Sequence, residues 1–498
     1  MMNNGKQDEF DSRYARRTMI LLSGLVLIVM YVEGMLTPSL PSISHTFKVS
    51  VSQVSLVLSA YLVSGVALSP IAGKMGDVYG KKKVLVIAMV IYAGAVSVTG
   101  FSPNFTFMVV SRAVQGIGLT MMPLGMSLVR EEFPRHLVPK AQAMLSAMFG
   151  VGFAISLPMG SLISNDFGWR ATYHTAVPFV LVIVVLTIVF VRESRFRRPE
   201  TKIDYVGSAL LGSSLSMYVL AISEGPVWGW TSTIVMSLLV AATIVLVPMV
   251  LYERAYNRSG GEPILDFRLL SIRNVMIANL ALVVSGLGMF LAMQTFTYRF
   301  ESPPSSGIGL SILGTGFSLV PFALGMIVLG PLTGRWVTRF GVKPFTILGP
   351  LVSAAGFILE ATVPGYSLML IYEFIIGGGI SMVNASVINL LVLSVDPKDM
   401  GLATSMNGSF RYLGSSIGAP IAGAIMGTYI LLILTPYKGH LVPTAFPDHF
   451  AFVLAFFISA FAFFLVAVIC LFSREVIFGK IRSRTLVSDS TENIEKLA

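Results

Sequence analysis

Apolar residues run along this chain in stretches of roughly 19 to 30, and the polar residues gather in short gaps between them. A soluble domain carries its apolar residues in short periodic runs instead. Stretches of this length match a hydrocarbon core of roughly 30 Å crossed at 1.5 Å per residue. The pattern predicts fourteen helices, at roughly 18–40, 52–72, 84–102, 105–129, 141–163, 172–191, 205–223, 231–252, 273–298, 307–333, 344–362, 366–394, 402–430 and 450–472. The connections are short, and the Ser-, Asp- and Glu-containing tail after Phe472 reads as disordered.

Composition agrees. Of 498 residues, 54% are apolar and 12% charged, with a mean hydropathy of +0.79, against about 25% charged in a soluble domain. This excludes a soluble enzyme, a nucleic-acid binder and a disordered chain. The net charge of +10 is an orientation signal. With the N-terminus inside, 29 of the 35 Lys and Arg fall on cytoplasmic segments, and Lys48, Arg170, Arg299 and Lys438 fall outside. Arg112 and Arg411 lie within spans. Such asymmetry is the positive-inside bias, with both ends cytoplasmic. Trp169, Trp228 and Trp230 fall at external helix ends, where an interfacial aromatic belt is expected. The basic N-terminal segment leads into an apolar run longer than a signal-peptide core, so it reads as a retained first span. One cysteine, Cys470, permits no intramolecular disulfide.

The chain repeats internally. Gly73-Lys-Met-Gly-Asp77-Val-Tyr-Gly80-Lys81 has a counterpart in Gly334-Arg335-Trp-Val-Thr338-Arg-Phe-Gly341-Val-Lys343, and both pairs of glycines differ by 261. Gly116 and Gly377 differ by 261, as do Gly118 and Gly379, while Pro158 and Pro420 differ by 262. Six short-looped helices fill about 190 residues, so this offset leaves room for two more between the repeats. The expected layout is a tail (1–17), a six-helix bundle (18–192), an inserted pair with its loops (193–272), a second six-helix bundle (273–472) and a tail (473–498).

These residues resemble the major facilitator superfamily, and the six-plus-two-plus-six count resembles its fourteen-helix drug:proton antiporter family. The 73–83 segment resembles the signature between the second and third helices. Arg112 with Gln115 and Gly116 resembles that of the fourth. Trp169-Arg170 before Pro178, Ile203-Asp204-Tyr205-Val206-Gly207 and Glu262-Pro263-Ile264-Leu265-Asp266-Phe267-Arg268 add smaller matches. The resemblance implies an all-α polytopic membrane protein that works by alternating access and acts as a monomer. It implies a conformational latch at Gly73, Asp77, Gly80 and Lys81, echoed by Gly334, Arg335 and Gly341, and a coupling role for Arg112 in a central cavity. Two departures stand out. The fifth helix reads Gly150-Val-Gly152 and then Leu157-Pro158-Met-Gly160-Ser161, with Leu157 and Ser161 where exporters of this group carry glycine. The thirteenth keeps a better spacing in Gly414, Gly418, Pro420 and Gly423. The first-helix acid, Glu33, is displaced by one residue from the family's position, a rotation of about 100°.

The residues themselves carry a physical argument. Gly73 and Gly80 permit tight turns, and Asp77 can accept from a helix N-terminus or pair with a base; a solvated positive loop would equally explain Lys81 and the lysines after it. Arg112, at depth, costs at least about 2.5–3.5 kcal/mol unless it meets water or an acceptor, and Gln115 is placed to orient it; snorkelling from the helix start is the alternative. Glu33 is a carboxyl that could exchange a proton against a cation, or one at an external mouth, and its repeat partner is Gln294. Glu373, the repeat partner of Arg112, and Arg411 are further intramembrane charges, about 10 Å or more apart in depth and so not a direct pair. Asn279, Gln294, Asn384, Asn389 and Asn407 are expected to bond helix to helix, while Tyr61, Met121, Met122, Phe149 and Phe153 suit either packing or an apolar pocket.

No nucleotide-binding loop, metal-spaced His or Cys cluster, nucleophile elbow or dinucleotide fingerprint is present, so no cofactor, metal or ATP is expected. The expected function is proton-coupled export of hydrophobic or amphipathic compounds across a bacterial or archaeal plasma membrane, with a small-molecule substrate, protons and the bilayer as partners. Transport of one metabolite (a lipid-like acid, a siderophore or an amino acid) and a non-transporting scaffold or receptor are the alternatives.

Overall fold

A computed structural model describes residues 12–133, 138–194, 203–258, 264–396, 399–437 and 440–476. The first half contains α1 (Ser12–Gly34), α2 (Leu56–Tyr79), α3 (Lys81–Thr99), α4 in two segments (Phe105–Gln115 and Met121–Glu132), α5 (Val138–Phe167) and α6 (Trp169–Phe190). Then come α7 (Tyr205–Trp228) and α8 (Thr233–Arg258). The second half contains α9 (Arg273–Glu301), α10 (Val320–Phe340), α11 (Lys343–Thr362), α12 (Tyr366–Val392) and α13 (Met400–Thr428), a hairpin of β1 (Ile430–Tyr437) and β2 (His440–Pro447), and α14 (His449–Leu471). Among the described residues twelve helical spans are long and apolar enough to cross a membrane. Two further long helices, α5 and α13, have 30 and 29 residues.

Local chemistry sets the boundaries. Asn104 caps α4 by accepting from the Phe107 N–H at 2.8 Å, and Asp204 caps α7 by accepting from the Gly207 N–H at 2.8 Å. Ser50 and Gln53 form a reciprocal capping box just before α2. Pro38 and Pro41 close α1 early. The chain turns through a 3₁₀ segment (Thr37–Ser39) into a short helix (Leu40–Phe47), which ends at Lys48 with φ +55°.

The repeat is physical. A side chain on Gly116 would strike the backbone oxygen of Tyr61, and one on Gly377 that of Phe322; Tyr61 and Phe322 themselves differ by 261. So α2 crosses α4 as α10 crosses α12, with backbones touching where the residue lacks a Cβ. The α9–α13 crossing is similar: Gly414 faces the Val283 carbonyl, Gly418 that of Leu287, and Gly286 that of Arg411. In the fifth helix Gly152 and Gly160 bring α5 against Leu27 of α1 and Met35 just beyond its end. Pro158 lies inside α5 and Pro420 inside α13. A side chain on Gly150 would meet only Ile327, at 4.0 Å, and Gly423 approaches Val51 and Ser52, so neither glycine serves the α1–α5 or α9–α13 crossing.

Three expectations are corrected. The 73–83 segment is not a loop: α2 runs to Tyr79 and α3 begins at Lys81, so Gly73 is helical with open space around it, as is Gly334 in α10. Only Gly80 (φ +106°) and Gly341 (φ +90°) make the turns, because charged residues can continue a helix beyond the apolar layer. The connection between α13 and α14 is a hairpin rather than a short loop, with Ile430 opposite Pro447 and Tyr437 opposite His440. The expected thirteenth helix ends at 430, where the first strand already begins, and the Leu432 and Leu434 side chains of that strand are 65% and 61% exposed. Trp169 is no belt residue: it is buried and donates to Thr46 Oγ1 at 3.2 Å, whereas Trp228 and Trp230 are exposed.

The pair α7 and α8 is attached through α7. Gln53 donates to Glu224 at 3.0 Å, Ser55 and Ser223 bond at 3.1 Å, and α7 packs against both α2 and α13. α8 rests on α7, with Ser214 donating to the Ala242 carbonyl at 2.8 Å.

Candidate functional site

Arg112 is completely buried near the end of the first α4 segment. Its Nε donates to the Val57 carbonyl at 3.0 Å, one terminal nitrogen to Gln115 Oε1 at 3.0 Å and the other to Glu33 Oε2 at 2.7 Å. The guanidinium also lies 4.7 Å from the Tyr61 ring centre. Gln115 donates to Thr99 Oγ1, which in turn donates to Ser111 at 2.9 Å. Thus α1, α2, α3 and α4 converge on one charge. The one-residue displacement of Glu33 does not keep its carboxylate from Arg112. Glu33 Oε1 accepts nothing within the protein and borders a cavity.

That cavity is lined from both halves: Met30, Glu33, Tyr61, Leu119 and Phe153 on one side, Met289, Phe290, Asn384, Arg411 and Tyr412 on the other. Its volume is only about 30 Å³, against roughly 300–1,000 Å³ for a small-molecule site. The walls are therefore drawn together, and apolar surface dominates them. Met122 borders a smaller neighbouring space, Met121 is buried in the core, and the Phe149 side chain lies outside the described residues.

Other candidates are scattered. Arg411 reaches the cavity and bonds the Tyr412 hydroxyl at 3.4 Å, while Glu373 is fully buried on α12 and is not among the cavity-lining residues. The two form no salt bridge. Gln294 is buried and donates across to the Val51 carbonyl at 3.5 Å. Asn407 donates to Asn279 at 3.0 Å, joining α13 to α9 as a helix-to-helix bond. Asp77 pairs with Lys81 at 3.3 Å, one turn away, and Arg335 sits on the last turns of α10.

Sequence reasoning missed two groups. Glu193 accepts from the Lys82 and Lys83 N–H groups, both at 3.1 Å. Glu475 accepts from the Val342 and Lys343 N–H groups at 2.9 and 3.3 Å. A carboxylate after the last helix of each half thus caps the helix that follows each positive-φ glycine. Also missed were Glu360 and Arg299, both buried. Glu360 differs from Thr99 by 261, as Glu373 does from Arg112, so the repeat could have found it.

Two helical halves closing on an apolar cavity with a buried ion pair define a multi-pass membrane transporter, not an enzyme. The chain belongs to the Major Facilitator Superfamily, whose sequence pattern matches residues 22–419 and 278–483. It is 27% identical over 439 residues to the Multidrug transporter protein MdtP of Bacillus subtilis (86% of this chain, 79% of that protein). It is 24% identical to the Tetracenomycin C resistance and export protein of Streptomyces glaucescens (78% and 72%). Its fold matches the human organic anion transporter MFSD10 (TM-score 0.62, 16% identity, 92% of this chain and 99% of that one). It also matches the partially occluded inward-open form of the xylose transporter XylE from E. coli (TM-score 0.63, 13%, 93% and 99%).

Proposed function

We propose that this protein exports hydrophobic or amphipathic compounds across a bacterial cell membrane in exchange for protons, as a fourteen-helix member of the superfamily with both termini cytoplasmic. In this reading α5 and α13 span the bilayer with the twelve apolar helices. Residues 18–192 and 273–472 are two bundles that rock about the cavity, and α7 and α8 are the inserted pair. The observation that carries it is the Glu33–Arg112 pair opening onto a cavity of Met, Phe and Tyr side chains. A cationic or amphipathic substrate entering there competes with Arg112 for the carboxylate, and a proton on Glu33 would release Arg112. Asp77, which pairs with Lys81, would form the latch with Gly73 and Gly80, and the narrow cavity fits a state between substrate loadings. Energy comes from the ion gradient rather than ATP, and a monomer suffices.

The test is ethidium accumulation in efflux-deficient cells with and without a protonophore. Expression of the wild-type protein lowers accumulation; the protonophore, Glu33→Gln or Arg112→Ala each restores it. A wild-type protein that inserts and leaves accumulation unchanged sinks the multidrug reading. Transport of one metabolite then stands, a reading favoured by Leu157 and Ser161 in α5.

A further inference from the structure

The hairpin between α13 and α14 is longer than a helix-to-helix connection requires, which is usually about 2–8 residues. Its strands have eight residues each and reach about 26 Å at roughly 3.3 Å per residue. Side chains alternate between its two faces, and the register puts Leu432 opposite Ala445 and Leu434 opposite Pro443. Those four and Ile430 share one face, and all five are exposed. Every one of them is apolar.

This face continues a surface that meets lipid. α14 is apolar enough to cross a membrane and exposes Phe450, Phe457, Phe461 and Phe464, whose spacing makes one helical stripe. At the start of that stripe the Phe450 ring stands edge-on to Tyr429, with centres 5.0 Å apart, and Tyr429 immediately precedes β1. The Tyr429 carbonyl accepts from the Asp448 N–H at 2.9 Å, which closes the base of the hairpin. Two sequence features favour lipid over a protein partner. A second copy adding a strand needs N–H groups along an edge, and Pro436 in β1 with Pro443 and Pro447 in β2 remove donors. From Tyr429 to Pro447 the chain holds no Asp or Glu, while Lys438 and His440 fall in its middle, a balance that suits phosphate headgroups.

We propose that the β1–β2 hairpin is a membrane anchor lying in the bilayer interface, with the face of Ile430, Leu432, Leu434, Pro443 and Ala445 turned into the boundary between headgroups and acyl chains. Its partner is phospholipid. The backbone limits the depth. Among the described residues β1 and β2 pair only with each other, so each strand keeps an open edge, and such edges do not occur in the hydrocarbon core. At an interfacial depth of about 5–10 Å, headgroups and water satisfy them. The hairpin continues α13, which brings Arg411 and Tyr412 to the cavity, so a movement of that helix is also a movement against lipid.

Fluorescence of the full-length protein in vesicles of phosphatidylethanolamine and phosphatidylglycerol tests this. In a Cys470→Ala background, Leu432→Cys or Thr444→Cys carries an environment-sensitive NBD label; Thr444 pairs with Ile433 on the opposite face. The label at 432 emits to the blue of the label at 444. Nitroxide lipids quench it at least about twofold more when the nitroxide is high on the acyl chain than at its end, as interfacial depth requires. With the label moved to Ala445→Cys, adding Leu432→Asp and Leu434→Asp abolishes the quenching by lipid. Equal quenching of the 432 and 444 labels by aqueous iodide, with none by lipid nitroxides, overturns the proposal. So does protection at 432 that grows with the protein-to-lipid ratio, because a second copy is then the cover. Quenching that survives the two aspartates also overturns it. Where the aspartate pair does not purify, the comparison of 432 with 444 decides alone.

Discussion

The Glu33–Arg112 pair makes the sharpest energetic prediction. Arg112 is fully buried, with three hydrogen bonds of 2.7–3.0 Å and an aromatic face. Breaking a buried pair by removing one partner costs about 3–5 kcal/mol, because the survivor is left uncompensated. Glu33→Gln keeps the shape and removes the charge, so it should cost that amount. Arg112→Met strands Glu33 and, in addition, leaves the Val57 carbonyl and Gln115 short of a donor, at about 1–3 kcal/mol each. In the double variant neither charge remains. Its cost should fall below the sum of the singles by about 2–3 kcal/mol, the upper range for coupled neighbours. Reversible unfolding by SDS titration from mixed micelles measures all three. Additivity within about 0.5 kcal/mol, the behaviour of independent sites, would refute the claim that these residues form one electrostatic unit. Arg112→Lys adds a second check, because an ammonium lacks the planar fork that here serves three acceptors at once. It should not restore more than part of the stability.

The crossings and the caps make two further predictions. Gly377→Val should abolish or sharply reduce folded yield on size-exclusion chromatography, since its side chain would strike the Phe322 backbone, whereas Gly73→Ala, in open space, should purify as wild type. Gly80→Ala should destabilise by about 1–3 kcal/mol through its φ of +106°, and its Cβ would also collide with the Glu193 carboxylate. Glu193→Gln should lose less, about 0.3–1 kcal/mol from the helix-terminus charge; equal losses in thermal unfolding would contradict the assignment of strain to the glycine.

Much of the architecture was legible because the membrane imposes one rule on every span: satisfy the backbone internally and face the lipid with apolar atoms. Hydropathy therefore found the helices, and the repeat found Gly116 and Gly377 before any contact was seen. What stayed hidden followed different physics. The hairpin after Tyr429 is as aliphatic as a helix, and only Pro436, Pro443 and Pro447, misplaced for a helix interior, signalled otherwise. The break of α4 at Gly116–Thr120 is a packing event set by the approach of Tyr61, which a linear pattern does not encode. Arg112 stood out by its charge, but its partner set did not. Val57 acts through a carbonyl, and Thr99 through a hydroxyl more than four helical turns from the basic segment at the start of α3. Glu360 escaped because it sits two residues before the end of α11, where an acid reads as an interfacial residue.

The same comparison says why the two halves differ. Equivalent positions in a duplicated scaffold share backbone geometry, since Gly116 meets Tyr61 as Gly377 meets Phe322. Side chains there are free to diverge so long as each buried charge is answered. The first half answers Arg112 with Glu33, Gln115 and the Val57 carbonyl, and nothing further is required of the solvent. The second half carries Glu373 where the first has the arginine and Glu360 where it has the threonine, both fully buried, and their four carboxylate oxygens find no hydrogen-bond partner among the described residues.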